Sequence, residues 1–369
     1  MKEKKYSIIQ GYRSRQKYLV GILGILFITA ALFSCDMQDL GTNANQNLEN
    51  NYRSTSTSDQ SDFNNTVQPY TFTHNLSDSV PVVTMPPVEV QTLLSEDRAE
   101  PQQNRSPVPP RFGKALEVSI DSENKGRWDE LTNGDRLWRL RIASGGAYCI
   151  NLIFDRFELP PGGKLFIYNE DQSTVLGPFN EEHNKSSGRF STLPVSGAQI
   201  TLEYYEPGGQ WDNTELRIAN VIHAYRNIFG RDNENSTLDL GDSGSCNINV
   251  NCPSALGWQD ESRSVAMVLV DQNTRLCSGA LVNNVLEDRT PYFLSAFHCA
   301  DRLTPNGSLS SAEIADAEDW LFWFNYKSET CSDPNSEPGH NAVSGASFRA
   351  ANSDSDFLLL ELSNIPPQA

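Results

Sequence analysis

The chain has 369 residues, enough for two domains of ordinary size, and 38% of them are hydrophobic, the share of a globular protein. Its formal net charge of −18 argues against nucleic acid as a partner, because phosphates are held by Lys and Arg. Seven cysteines without a Cys-x-x-Cys pair argue against a zinc site.

Met1 to Tyr18 is basic, and Leu19 to Phe33 (LVGILGILFITAALF) is uncharged and apolar. That run is short for a bilayer span and suits the core of a signal peptide, so residues 1–35 read as an export signal. It closes on Leu32-Phe33-Ser34-Cys35, which resembles a lipobox and implies acylation of Cys35. Ordinary signal cleavage and an uncleaved anchor are the alternatives. Export makes the cysteines candidates for disulfides. The expected location is the cell surface or outer membrane as a lipoprotein, or the medium after processing.

Residues 36–111 are rich in Asn, Ser, Thr, Gln and Pro, with no sustained apolar period, and read as a disordered, solvated tether. His74 within it reads as a polar residue only. From Phe112 the character changes. Ala115–Ile120, Leu137–Ile142, Leu165–Tyr168, Gln199–Tyr205 and Leu216–His223 alternate or run apolar in the manner of strands, with Pro160-Pro161-Gly162-Gly163 as a turn. Short strands, frequent turns and no long amphipathic helix predict an antiparallel β-sandwich over 112–230. His183 and His223 carry no partner pattern and read as structural or surface residues. Cys149, mid-strand, reads as a buried thiol. Residues 231–240 are polar and turn-rich, an exposed linker open to proteolytic nicking.

The segment 241–369 carries the chemistry. Cys277-Ser278-Gly279-Ala280-Leu281-Val282 is followed by Leu294-Ser295-Ala296-Phe297-His298-Cys299. Upstream stand Gly244-Ser245-Cys246, Cys252-Pro253 and Gly257-Trp258; downstream stand Trp323-Phe324-Asn325-Tyr326, Thr330-Cys331 and Ser355-Asp356-Phe357-Leu358-Leu359-Leu360. In content, order and spacing these blocks resemble the lysyl endopeptidase branch of the chymotrypsin-like serine proteases.

That resemblance implies an all-β fold, with the sandwich as prodomain before the first β-barrel of a double barrel. It implies a precursor (zymogen) of a serine endopeptidase that cleaves proteins after Lys or Arg, with no metal and no cofactor. His298 would be the general base and Asp356 the residue that orients it, with Asp354 as the weaker candidate. Cys252 would pair with Cys331 and Cys277 with Cys299, while Cys246 would await a partner outside the chain. Gly241-Asp242-Ser243-Gly244 imitates a nucleophile loop, but Ser243 precedes His298, whereas the family order is His, Asp, Ser; Ser243 is rejected as nucleophile. A permuted triad that uses Ser243 remains testable.

By the same resemblance the chain stops at Ala369 before a second barrel with the nucleophile, oxyanion hole and specificity residue. It is therefore expected to be the front part of a longer product, inactive as given. The sandwich is either a propeptide that chaperones and inhibits the protease or a free-standing binding module. Expected partners are protein or peptide substrates, the chain's own propeptide and, through the lipid, a membrane. The alternative to the whole reading is a non-enzymatic surface lipoprotein with a binding sandwich and a vestigial half-barrel. Gly307–Glu318 reads as a short helix or loop insert, Trp320–Phe324 as core, and His340 as loop.

Overall fold

The computed structural model describes residues 67–99, 109–209, 214–228, 247–303, 305–332 and 338–366, all within one compact unit. The fold is all-β, and period-two burial explains most of it. In β4 (Arg136–Ala143), Trp138, Leu140 and Ile142 face the core, while Arg139 and Arg141 face the other way. β10 (Gln199–Glu206) pairs antiparallel with β4 and offers Ile200, Leu202 and Tyr204 to the same core.

Two sheets make the sandwich. One runs β1 (Val82–Thr84), β4, β10, β6 (Lys164–Asn169) and β7 (Val175–Phe179), with β3 (Arg127–Glu130) added on β4. The other runs β2 (Gly113–Asp121), β11 (Glu215–Ala224), β5 (Cys149–Glu158) and β8 (Phe190–Ser191), with β9 (Val195–Ser196) on β5. Phe154, Phe157, Phe179 and Phe190 pack edge to face or stacked between them. Cys149 is a buried thiol at the start of β5.

The tether expectation is corrected where the structure describes it. Residues 67–99 hold a helical turn α1 (Tyr70–Thr73), β1 and a ten-residue helix α2 (Val90–Ala99). β1 lies parallel to β4, the one non-antiparallel pair recorded. Polar anchors do much of the docking: Thr71 donates to Glu203, Arg139 donates to the Ser77 carbonyl (3.0 Å), and Arg111 pairs with Asp97 (2.8 Å). The buried apolar anchors are Pro69, Met85 and Leu93. Composition hid this segment, because its apolar residues are interrupted by prolines and polar residues and follow no sustained period. Residues 36–66 and 231–240 lie outside the described residues.

A seven-strand row builds the second body: β16 (Asn341–Ser344), β15 (Leu321–Phe324), β12 (Val265–Val270), β13 (Arg275–Val282), β14 (Tyr292–Ser295), β18 (Phe357–Leu362) and β17 (Ala346–Asn352). The two ends of the row, β16 and β17, are separated in the chain by Gly345 alone. That glycine has φ +84°, a turn that a side chain resists. One bent stretch thus occupies both edges and the row curls shut. Ala266, Val268, Phe293, Phe322, Phe324, Leu358 and Leu360 fill the interior. Before β15 stands α3 (Ser311–Glu318), started by a reciprocal Ser310–Glu313 capping box.

The outward residues Leu269, Leu321, Trp323 and Ala342 of the barrel join the sandwich core. The contact is sealed by an Arg189–Asp319 ion pair, Ser344 Oγ on the Ser191 carbonyl (3.0 Å) and Tyr326 Oη on the Ile228 carbonyl (3.2 Å). Among the described residues no helix is long and apolar enough to cross a membrane.

Candidate active site

His298 is placed by two constraints. β14 ends at Ser295, and a single 3-10 turn, Phe297–Cys299, follows at once. A Cys277–Cys299 disulfide, Cα–Cα 6.4 Å, ties that turn to β13. Ser295 Oγ adds a hydrogen bond to the Ser278 carbonyl at 2.9 Å. A second disulfide, Cys252–Cys331, ties the segment before β12 to the loop after β15.

Asp356 comes from the other side. β18 pairs with β14 in the register Ser295↔Leu358 and Leu294↔Leu359. The residue just before β18 is therefore delivered to the residue just after β14. Asp356 closes a four-residue turn whose first step is set by Asn352, whose Oδ1 accepts from the Ser355 N–H (2.9 Å) and hydroxyl (2.8 Å). The Asp356 backbone is left-handed, φ +52°, a conformation that Asp tolerates better than most residues.

The two side chains meet. His298 Nδ1 lies 2.8 Å from Asp356 Oδ2, and the His298 backbone N–H donates to Oδ1 at 3.0 Å. The Phe297 N–H donates to the Asp356 carbonyl at 3.3 Å. An ionised carboxylate at Nδ1 requires the proton there, which leaves Nε2 with its lone pair as an acceptor. The Asp356 side chain is 47% exposed and that of His298 20%. A contact so solvated contributes only about 0–1 kcal/mol, so its consequence is orientation, not stability.

The remaining candidates fall elsewhere. Asp354 is exposed in the same turn and makes no recorded bond to His298. Cys35, Ser243 and Cys246 lie outside the described residues. Among those described, no serine hydroxyl bonds His298 Nε2. Sulfur and nitrogen atoms of Cys277, His298 and Cys299 lie within 4.8 Å of one another, but both sulfurs are committed to the disulfide and cannot serve as thiolate ligands.

The other histidines are structural. His74 stacks on Tyr70, His340 stacks on Trp323, and His183 Nδ1 meets Asn180 at the start of a 3-10 turn. A Ser–His pair that sequence reading missed joins Ser144 Oγ to His223 Nδ1 at 2.7 Å. Both residues are sealed, at 1% and 0% exposure, and burial pushes the imidazole pKa down. A substrate cannot reach it. Reading also missed Asn352, which anchors the turn through its side-chain oxygen.

Residues 240–369 match the family described as lysyl endopeptidase, C-terminal domain. The chain is also 26% identical over 288 residues to the lysyl endopeptidase of Pseudomonas aeruginosa, an alignment that covers 71% of this chain and 58% of that protein. The chain thus spans little more than half the length of that relative. An alignment over 71% of the chain extends upstream of residue 240 into the sandwich. With one match over the barrel and the other reaching the sandwich as well, the chain is similar to lysyl endopeptidases.

Proposed function

We propose that the chain belongs to an exported serine endopeptidase precursor that cleaves proteins after Lys or Arg. His298 takes the proton of the attacking serine and returns it to the leaving amine; Asp356 fixes the tautomer and steadies the imidazolium. The serine itself is supplied from outside the described residues, and Ser243 is not it. Preference for Lys is carried over from the similar lysyl endopeptidase of Pseudomonas aeruginosa. The sandwich is a propeptide-like module, consistent with an alignment that reaches it, and Cys35 is the lipid attachment site. Cleavage in 231–240 would separate sandwich from barrel.

The observation that carries this reading is the two-point hold of Asp356 on His298, at 2.8 and 3.0 Å. The test is a fluorophosphonate probe applied to the protein from its native source, followed by peptide mapping. The reading predicts a labelled serine other than Ser243. Label on Ser243 would favour a permuted triad, and no label before or after propeptide removal would favour a non-enzymatic surface protein.

A further inference from the structure

The outer face of the first sheet of the sandwich is polar across three strands. Register sets Arg141 of β4 beside Thr201 of β10, and Thr201 beside Tyr168 of β6; two residues further along, Arg139 stands beside Glu203. Alternation turns these side chains away from the core that holds Leu140, Ile142, Ile167 and Ile200. The segment with α1 and β1 lies over part of this face. It is held there by Thr71 on Glu203 and by Arg139 on the Ser77 carbonyl (3.0 Å).

Side chains of the segment and of the sheet together line a cavity of about 250 Å³. That is small beside the pockets that take drug-sized ligands, and it suits a single ring. Part of the wall is already engaged. Arg139 donates to Asp129 (2.6 Å), Tyr168 Oη donates to Glu203 (3.2 Å), and Gln199 Nε2 donates to Glu170 (2.7 Å). These bonds hold the frame of the cavity still. Arg139 is only 3% exposed, and its Nε bonds no described residue. A buried donor of this kind calls for an acceptor from outside the chain.

The rest of the wall is free. Asp78, Arg141, Gln172 and Thr201 line the cavity, and their side chains bond no other described residue. They amount to one carboxylate, one guanidinium, one amide and one hydroxyl. The two charges cancel, so a charged guest would gain from one and be repelled by the other. Carboxylate, guanidinium and amide are planar groups that can engage two neighbouring atoms at once. A hydroxyl both donates and accepts, so a ring bearing adjacent hydroxyls can satisfy all four side chains. A free amino acid would satisfy the two charges and leave Gln172 and Thr201 unpaired. Val80 adds an apolar contact for the C–H face of a ring.

We propose that this cavity binds one neutral sugar ring, gripped by Asp78, Arg141, Gln172 and Thr201. The site lies in the sandwich and does not depend on the protease reading. In an exported chain it would hold the sandwich to a glycan.

The test is an NMR titration of the isotope-labelled full chain with the methyl glycosides of glucose, mannose and galactose and with N-acetylglucosamine. L-lysine serves as the zwitterionic control. The expected result is saturable shifts at the Gln172, Gln199 and Thr201 amides with at least one sugar, complete by about 20 mM. Asp78→Ala and Arg141→Ala should each weaken that binding by about tenfold or more, since each removes a pair of hydrogen bonds. Glu117→Ala, exposed on the opposite sheet, should leave it unchanged. Thermal melts of the variants separate a lost grip from lost folding, and if one of the two unfolds the other decides. No saturable shift with any of the four sugars, a response to L-lysine alone, or sugar binding that survives both substitutions would overturn the proposal.

Discussion

Asp356 holds His298 at two points, with one carboxylate oxygen on the backbone N–H and the other on the imidazole Nδ1. An Asn at 356 could accept at one point but would offer an N–H₂ or a single oxygen where two acceptors are needed. Asp356→Asn is therefore expected to lower kcat of the active protease by about 10⁴-fold, through the wrong tautomer, with KM little changed. Steady-state kinetics on a Lys-anilide substrate measure it.

The Cys277–Cys299 bridge spans 22 residues and Cys252–Cys331 spans 79. Loop-closure entropy predicts losses of about 3 and about 4–5 kcal/mol when each is replaced by two serines. Urea melts of the chain should rank the two variants in that order. Loss of the shorter bridge should also free the turn that carries His298, so its ring resonance should broaden or move.

Gly279 lies where β14 crosses closest. A Cβ there would stand 2.4 Å from the Phe293 ring and 2.5 Å from the Leu294 carbonyl. The carbonyl cannot step aside without moving the strand that leads to His298. Gly279→Ala is expected to cost about 1–3 kcal/mol by overpacking. Gly345→Ala is expected to cost about 1–2 kcal/mol, because a side chain resists its left-handed backbone. Thermal melts report both.

Asp316 gives the chain a pH dependence. Its carboxyl is enclosed, accepting from Trp320 Nε1 (3.0 Å) and the Gln272 N–H (2.7 Å). Burial, with Asp271 and Asp319 nearby, pushes its pKa up to about 7. A raised carboxyl pKa means the folded chain binds a proton that the unfolded chain has released. Its stabilising share is whole below the ordinary carboxyl range and is lost as pH rises through about 7. Between about pH 4 and 7 the stability of wild type should fall faster than that of Asp316→Asn, by up to about 1.4 kcal/mol per pH unit. Melts at stepped pH compare the two slopes.

Strands that bury one face were legible in the sequence. Leu137–Ile142 alternates because its Arg residues point away from the core that holds Trp138 and Leu140. β5 is harder to bound from the sequence: Cys149 reads as mid-strand but begins the strand, and because Asn151 and Ile153 are as buried as Leu152 no alternation marks the rest. Residues 67–99 escaped notice because Thr71, Ser77 and Arg111 anchor the segment by polar bonds that leave no apolar period. His298 and Asp356 lie 58 residues apart, and no spacing rule connects them. Their pairing followed from a family resemblance, and the β14–β18 ladder is its physical cause. The hidden Ser144–His223 pair shows the converse, a catalytic-looking contact with no access.

The central claim is that His298 acts as the general base of a peptidase that cuts after basic residues. The most direct measurement is hydrolysis of Lys- and Ala-anilide substrates by the intact gene product, made in its own host, and by its His298→Ala variant. The account predicts turnover of the Lys substrate only, reduced at least about 10⁴-fold in the variant. Equal turnover by both proteins, or none by a wild type confirmed as folded and processed, would contradict it.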